Sequence, residues 1–118
     1  MNVAFIYDLQ DNKNILLIEN IKEINEDAEG TERINIIEKY NQRNRIDVFV
    51  IISNEIQQIT DYIKNIKNKI HKILIITENL DTEHILKCIE ITPNISYMNN
   101  KIENILNKIY LLGKKVDE

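Results

Sequence analysis

The stretch DVFVIISNEI, residues 47–56, decides how the rest of the chain is read. Residues 48–52 are an unbroken apolar run, mostly β-branched, with no polar position reserved for water. A strand of that kind is covered on both faces, as in a parallel sheet flanked by helices. The run turns polar at Ser53 and Asn54. It continues as NEIQQITDYIKNIKNKI (54–70), where Ile56, Ile59, Ile63, Ile66 and Ile70 recur at three- and four-residue steps. Asn54 is the expected N-cap of that helix. A buried strand leading directly into an amphipathic helix is half of a βαβ unit.

The same pattern spreads in both directions. NVAFIY (2–7) and KILIIT (72–77) are short, nearly continuous apolar runs, and ISYM (95–98) reads as a shorter fifth strand. TERINIIEKYNQR (31–43) repeats Ile34, Ile37 and Tyr40 at helical spacing, with Thr31 as N-cap after Gly30. DTEHILKCIEI (81–91) aligns Ile85, Cys88 and Ile89, with Asp81 as cap and Pro93 just beyond. NKIENILNKIYLLG (100–113) aligns Ile102, Ile105, Leu106, Ile109 and Leu112, with Gly113 as C-terminal stop. Residues 11–25 admit two readings: a helix NKNILLIEN followed by a short strand IKEIN, or a β-hairpin. Strands alternating with helices wind through right-handed crossovers. The expectation is one domain over residues 1–118, an α/β three-layer sandwich. Its sheet has five parallel strands in the flavodoxin-like order 2-1-3-4-5.

Composition narrows the function. Of 118 residues, 43% are hydrophobic and 29% charged, the balance of a soluble globular domain rather than a disordered chain. Fifteen basic against 19 acidic side chains leave a net charge of −4, which argues against a general nucleic-acid binder. A single cysteine, Cys88, leaves no intramolecular disulfide and no cysteine-built zinc site. No apolar run approaches the ~20 residues that span a bilayer. The opening MNVAFIYD holds too short an apolar run for a secretory signal, so a cytoplasmic location is expected. With two glycines, there is no phosphate-cradling loop and no dinucleotide fingerprint. No cofactor is expected.

In a sheet of this kind ligands sit outside the carboxyl ends of the central strands. That geometry selects Asp8 and Asp11 after the first strand, Ser53 and Asn54 after the third, Thr77 and Glu78 after the fourth, and Asn99 and Asn100 after the fifth. These residues are expected to cluster.

Their spacing resembles response-regulator receiver domains over essentially the whole chain. The resemblance implies an acidic pair at the first strand that holds Mg²⁺ and a phosphoacceptor aspartate at the third. It also implies a Thr at the end of the fourth strand, an aromatic on the fifth and a Lys after it. FIYD supplies Asp8, but Leu9 stands beside it; VFVIIS ends in Ile52 and Ser53, with no acid. Thr77 and Tyr97 match the switch pair, whereas Asn99 or Asn100 stands where the Lys is expected, with Lys101 one residue late. A second resemblance is to the F subunit of V-type and archaeal-type rotary ATPases. It is carried by MNVAFIYD, FVIISNEIQQI and IENILNKIYLLGKKV.

Phosphoryl transfer to an aspartate needs the carboxylate and a metal that neutralises the transferred charge. The expectation is therefore a non-enzymatic regulatory or protein-interaction module resembling a pseudo-receiver. The alternatives are the ATPase subunit and a receiver that is still phosphorylated. The first resemblance implies a protein partner or homodimer through the 81–113 face, with Tyr97 at its centre; from charge and hydropathy, neither a nucleic-acid nor a membrane partner is expected. The candidates also have plain structural roles. Asp8 caps the first helix, Thr77 satisfies backbone groups and Cys88 packs as a small hydrophobe. His71 and His84 lack ligand spacing, and Lys64, Lys67, Lys69 and Lys72 form a solvated face.

Overall fold

Strand β3 (Val48–Ile52) has all five residues buried, and it pairs in parallel on both sides. It joins β1 (Asn2–Tyr7) through Val3↔Val48 to Tyr7↔Ile52, and β4 (Lys72–Ile76) through Val48↔Lys72 to Ile52↔Ile76. Strand β5 (Ile95–Met98) extends the sheet beyond β4, and β2 (Asn35–Ile37) forms the opposite edge beside β1. The order is β2-β1-β3-β4-β5, every pairing parallel. The computed structural model describes residues 1–28, 33–38, 45–66, 72–78, 81–92, 94–99 and 102–114.

Alternation along the strands divides the core into two layers. Val3, Phe5, Val48, Val50, Ile52, Leu74 and Ile76 meet Ile18 and Ile21 of helix α1 (Asn12–Asp27). Ile105, Ile109 and Leu112 of α4 (Ile102–Lys114) complete that layer. Ala4, Phe49, Ile51, Ile73 and Ile75 turn the other way, onto Ile59, Ile63 and Ile66 of α2 (Ile56–Ile66) and Cys88 of α3 (Thr82–Ile91). Burying each large apolar side chain is worth about 1.5–3 kcal/mol, so β3 anchors both layers. The expected three-layer sandwich and strand order are present.

Two expected elements are different. IKEIN is the second half of α1, not a strand, and no hairpin forms there. Ile21 lies three residues after Ile18 on the buried stripe, and Asn25 occupies the next core position. Asn25 is polar, so it hides the helical period, yet it is only 8% exposed. Its Nδ2 donates to the Ile34 carbonyl and its Oδ1 accepts from the Ile34 N–H, both at 2.9 Å. The side chain thus imitates a neighbouring strand and pins the chain just before β2. Correspondingly, the helix expected over 31–43 is not formed in its described part: Asn35–Ile37 is the edge strand. Ile36 packs on the α1–α4 layer and Ile37 on the other, the alternation of a strand. Thr31, Gly30 and Tyr40 lie outside the described residues.

Local chemistry sets the remaining boundaries. The last turn of α1 holds Glu26 and Asp27 and no basic residue, which opposes the helix dipole. Arg33 compensates by donating to the carbonyls of Glu26 at 2.7 Å and Ala28 at 3.1 Å. Asp81 caps α3 as expected, its Oδ1 accepting from the Glu83 N–H at 2.8 Å. Gly113 is not a stop, because α4 continues to Lys114. A β-carbon at Gly113 would meet the flexible end of the exposed Met1 side chain.

Strand β5 is tied to α3 by Tyr97, whose hydroxyl donates to the Ile85 carbonyl at 3.2 Å and stands against the Cys88 thiol. Cys88 is 1% exposed, a packed small hydrophobe as expected. Burial pushes both Tyr97 and Cys88 above their ordinary ranges, although the hydroxyl partly offsets the shift at the thiol.

Replacing Asn25 with Ala strands a buried N–H and a buried carbonyl, and is expected to cost about 2–4 kcal/mol in urea unfolding. Asn20→Ala on the exposed face of α1 is the control, expected to change stability by less than about 0.5 kcal/mol. Equal effects of the two substitutions would contradict the pinning role. The fold holds Tyr97 and Cys88 neutral, so their contribution is complete at neutral pH and is lost as pH rises past about 9. Stability measured by urea titration is expected to decline over that range, and less steeply in Tyr97→Phe. A flat profile to about pH 10.5 would contradict this assignment.

Candidate functional site

The carboxyl ends of β1, β3 and β4 converge on one rim of the sheet, where most of the candidate residues stand. After β1 the chain turns at Asp8, whose Oδ1 accepts from the Gln10 N–H at 2.9 Å while its carbonyl accepts from the Asp11 N–H at 3.2 Å. Asp11, not Asp8, caps α1: its Oδ1 accepts from the Lys13 N–H at 3.0 Å. Asp8 also reaches the electrostatic surroundings of Tyr62 on α2. Burial raises the Tyr62 hydroxyl above its ordinary range, and the Asp8 charge adds to the effect.

After β3 the roles of Ser53 and Asn54 are the reverse of those expected. Ser53 is 5% exposed, and its N–H extends the ladder to the Ile76 carbonyl at 3.2 Å. Its Oγ accepts from the Glu55 N–H at 3.1 Å and donates to Gln58 Oε1 at 2.6 Å. The hydroxyl therefore organises the start of α2, and its proton rests on an amide oxygen that is no general base. Asn54 does not cap α2: the Glu55 carbonyl takes the first helical N–H, from Ile59, at 3.0 Å. The Asn54 side chain instead crosses to the loop after β4. Its Oδ1 accepts from the Glu78 N–H at 2.8 Å and from Thr77 Oγ1 at 3.3 Å, and its Nδ2 donates to Glu78 Oε2 at 3.4 Å.

Asp11, Lys13, Asn54, Thr77 and Glu78 line a cleft of about 60 Å³. That volume suits one or two water molecules, against the several hundred Å³ that surround a small organic ligand. Among the described residues, no three His, Cys, Asp or Glu side chains converge as a metal site. One oxygen of Asp8 is engaged in a turn and one of Asp11 in a helix cap, and Ser53 and Asn54 offer no carboxylate.

The rest of the expected set is dispersed. Thr77 is buried on Asn54, whereas the Tyr97 hydroxyl is turned inward onto α3, so its tip does not stand at the centre of an outer face. Asn99 is exposed beyond β5, and Asn100, Lys101, His71, Lys67 and Lys69 lie outside the described residues. Sequence reasoning missed Lys13 and Gln58; the only available signal was their spacing from Asp11 and Ser53. Away from the rim, Leu86 and Ile89 on α3 are 55% and 42% exposed. A larger cleft of about 620 Å³ lies between the end of α1 and α4, floored by Ile24, Leu106, Tyr110 and Leu111.

No protein-family model matches the chain, and neither does any curated protein. Solved structures do. A response regulator from Thermotoga maritima superposes with a TM-score of 0.66 at 15% identity, over 96% of this chain and 97% of that one. The phosphorylated cyanobacterial phytochrome response regulator RcpA superposes with a TM-score of 0.55 at 12% identity, over 99% of this chain and 91% of that one. Likeness at these identities concerns the backbone alone, and on that ground the chain has the receiver fold: a CheY-like α/β sandwich of five parallel strands.

Proposed function

We propose that the chain is a non-catalytic regulatory module built on the receiver fold, which docks a protein through the face formed by α3, β5 and α4. The observation that carries this reading is at the end of β3. The two polar side chains there, Ser53 and Asn54, are a hydroxyl and an amide already bonded to Gln58, Thr77 and Glu78. Neither can form an acyl phosphate, and the adjacent acids serve the backbone at Gln10 and Lys13. A domain that keeps the scaffold without the acceptor retains its surfaces as its means of action.

The docking face follows from exposure and pairing. Strand β5 pairs with β4 on one side and stands at the sheet's edge on the other, leaving an edge that natural proteins cover or blunt. Leu86 and Ile89 are exposed one helical turn apart on α3, the helix that Tyr97 of β5 bonds at Ile85. A protein partner or a second copy of the chain that covers this face removes both from water. Among the described residues no helix is long and apolar enough to cross a membrane, which agrees with a cytoplasmic role.

Addition of Mg²⁺ and beryllofluoride is expected to leave the amide spectrum of the domain unchanged. Shifts at Thr77 and Tyr97 that disappear in Asp8→Asn would overturn the non-catalytic reading. For the face, Leu86→Glu with Ile89→Glu is expected to abolish self-association, read by sedimentation, or capture of a partner by the tagged chain. Association or capture undiminished in the folded double variant would place the contact elsewhere.

A further inference from the structure

Strand β2 is the other edge of the sheet, across from β5. In a strand the N–H and C=O of one residue point to the same side, and successive residues alternate. The Asn35 N–H donates to the Met1 carbonyl at 2.9 Å, so Asn35 and Ile37 face β1. Ile34 and Ile36 therefore turn their backbone groups away from the sheet. At Ile34 that outward pair is already taken by the Asn25 carboxamide. Nothing comparable covers Ile36 among the described residues. Beside it, on the face covered by α1, lies a cavity of about 310 Å³ lined by Lys22, Asn25, Glu26, Ile36 and Glu38.

The charge around this cavity is unbalanced. Lys22 pairs with Glu38 and, at 3.6 Å, with Glu19. Among the described residues the Glu26 carboxylate has no cation, because Arg33 donates to the backbone carbonyls of Glu26 and Ala28 instead. We infer that the β2 edge is a docking site for an extended segment of a partner protein that carries a lysine or arginine. The segment adds as a strand through the Ile36 N–H and C=O. Its residue opposite Ile36 points to the same face of the sheet, into the cavity, where acids outnumber Lys22. Asn25 blocks the edge at Ile34, so the backbone contact is short and the buried cation supplies the selectivity. This edge lies across the sheet from the face proposed above, and the two stand or fall separately.

Amide spectra of the full chain test the site by titration with two capped peptides, acetyl-Thr-Val-Lys-Val-Thr-amide and its counterpart with Glu in place of Lys. The lysine peptide is expected to shift the Ile36 amide and slow its exchange at least about threefold, as one added hydrogen bond does. Its Kd is expected to be about threefold tighter than that of the Glu peptide, the size of one exposed ion pair. In Glu26→Gln, at an exposed position that leaves the edge intact, the preference is expected to shrink while the Ile36 shift remains. An Ile36 amide unmoved at about 5 mM lysine peptide, where a millimolar Kd is mostly saturated, would overturn the site. Equal binding of the two peptides, or a preference unchanged in Glu26→Gln, would refute the cationic occupant. Ile36 shifts that track the concentration of the chain alone would assign the edge to a second copy and contradict the proposal. Perturbation confined to Ile95 and Tyr97 would contradict it as well, by moving strand addition to β5.

Discussion

Complete burial of β3 is the constraint on which the rest of the structure depends. Five consecutive side chains without access to water require helices on both faces and strands on both edges. Parallel neighbours in turn require crossovers, and the crossovers are the helices that cover the faces. Once β3 is central, its carboxyl end must open onto the rim where β1 and β4 also end. The character of that rim is then decided by the residues that follow Ile52.

Those residues form a knot of structural bonds. Ser53 turns inward to start α2, and Asn54 turns sideways to hold the loop after β4. Asp8 and Asp11 form a relay, one setting the turn and the other capping α1. Asp8, Asp11, Ser53 and Asn54 each bond a neighbour within the domain, and the residual cleft is the size of a water or two. On the outer side of the domain, Leu86 and Ile89 of α3 stand exposed.

Most of this was legible in the sequence where one physical signal dominated. The runs at 2–7, 47–53 and 72–77 are too apolar to face water, so strands, parallel pairing and sheet order followed. The reading failed where a polar residue took a core position. Asn25 interrupted the stripe of α1, and its hydrogen bonds to Ile34, which define the approach to β2, link two segments whose pairing no local pattern contains. Short apolar clusters such as Ile34, Ile36 and Ile37 fit a helix or a strand until the partner strand is known. The expected cap of α2 differs for a related reason: Asn54 is a good capping residue, but its side chain is taken by the Glu78 N–H, supplied by a distant part of the chain.

Intact-mass spectrometry after incubation with acetyl phosphate and Mg²⁺ tests the central claim most directly. With Ser53 and Asn54 following β3, the proposed non-catalytic role predicts that the mass stays that of the unmodified chain. A stoichiometric gain of one phosphoryl group, labile at alkaline pH and lost in Asp8→Asn or Asp11→Asn, would contradict it.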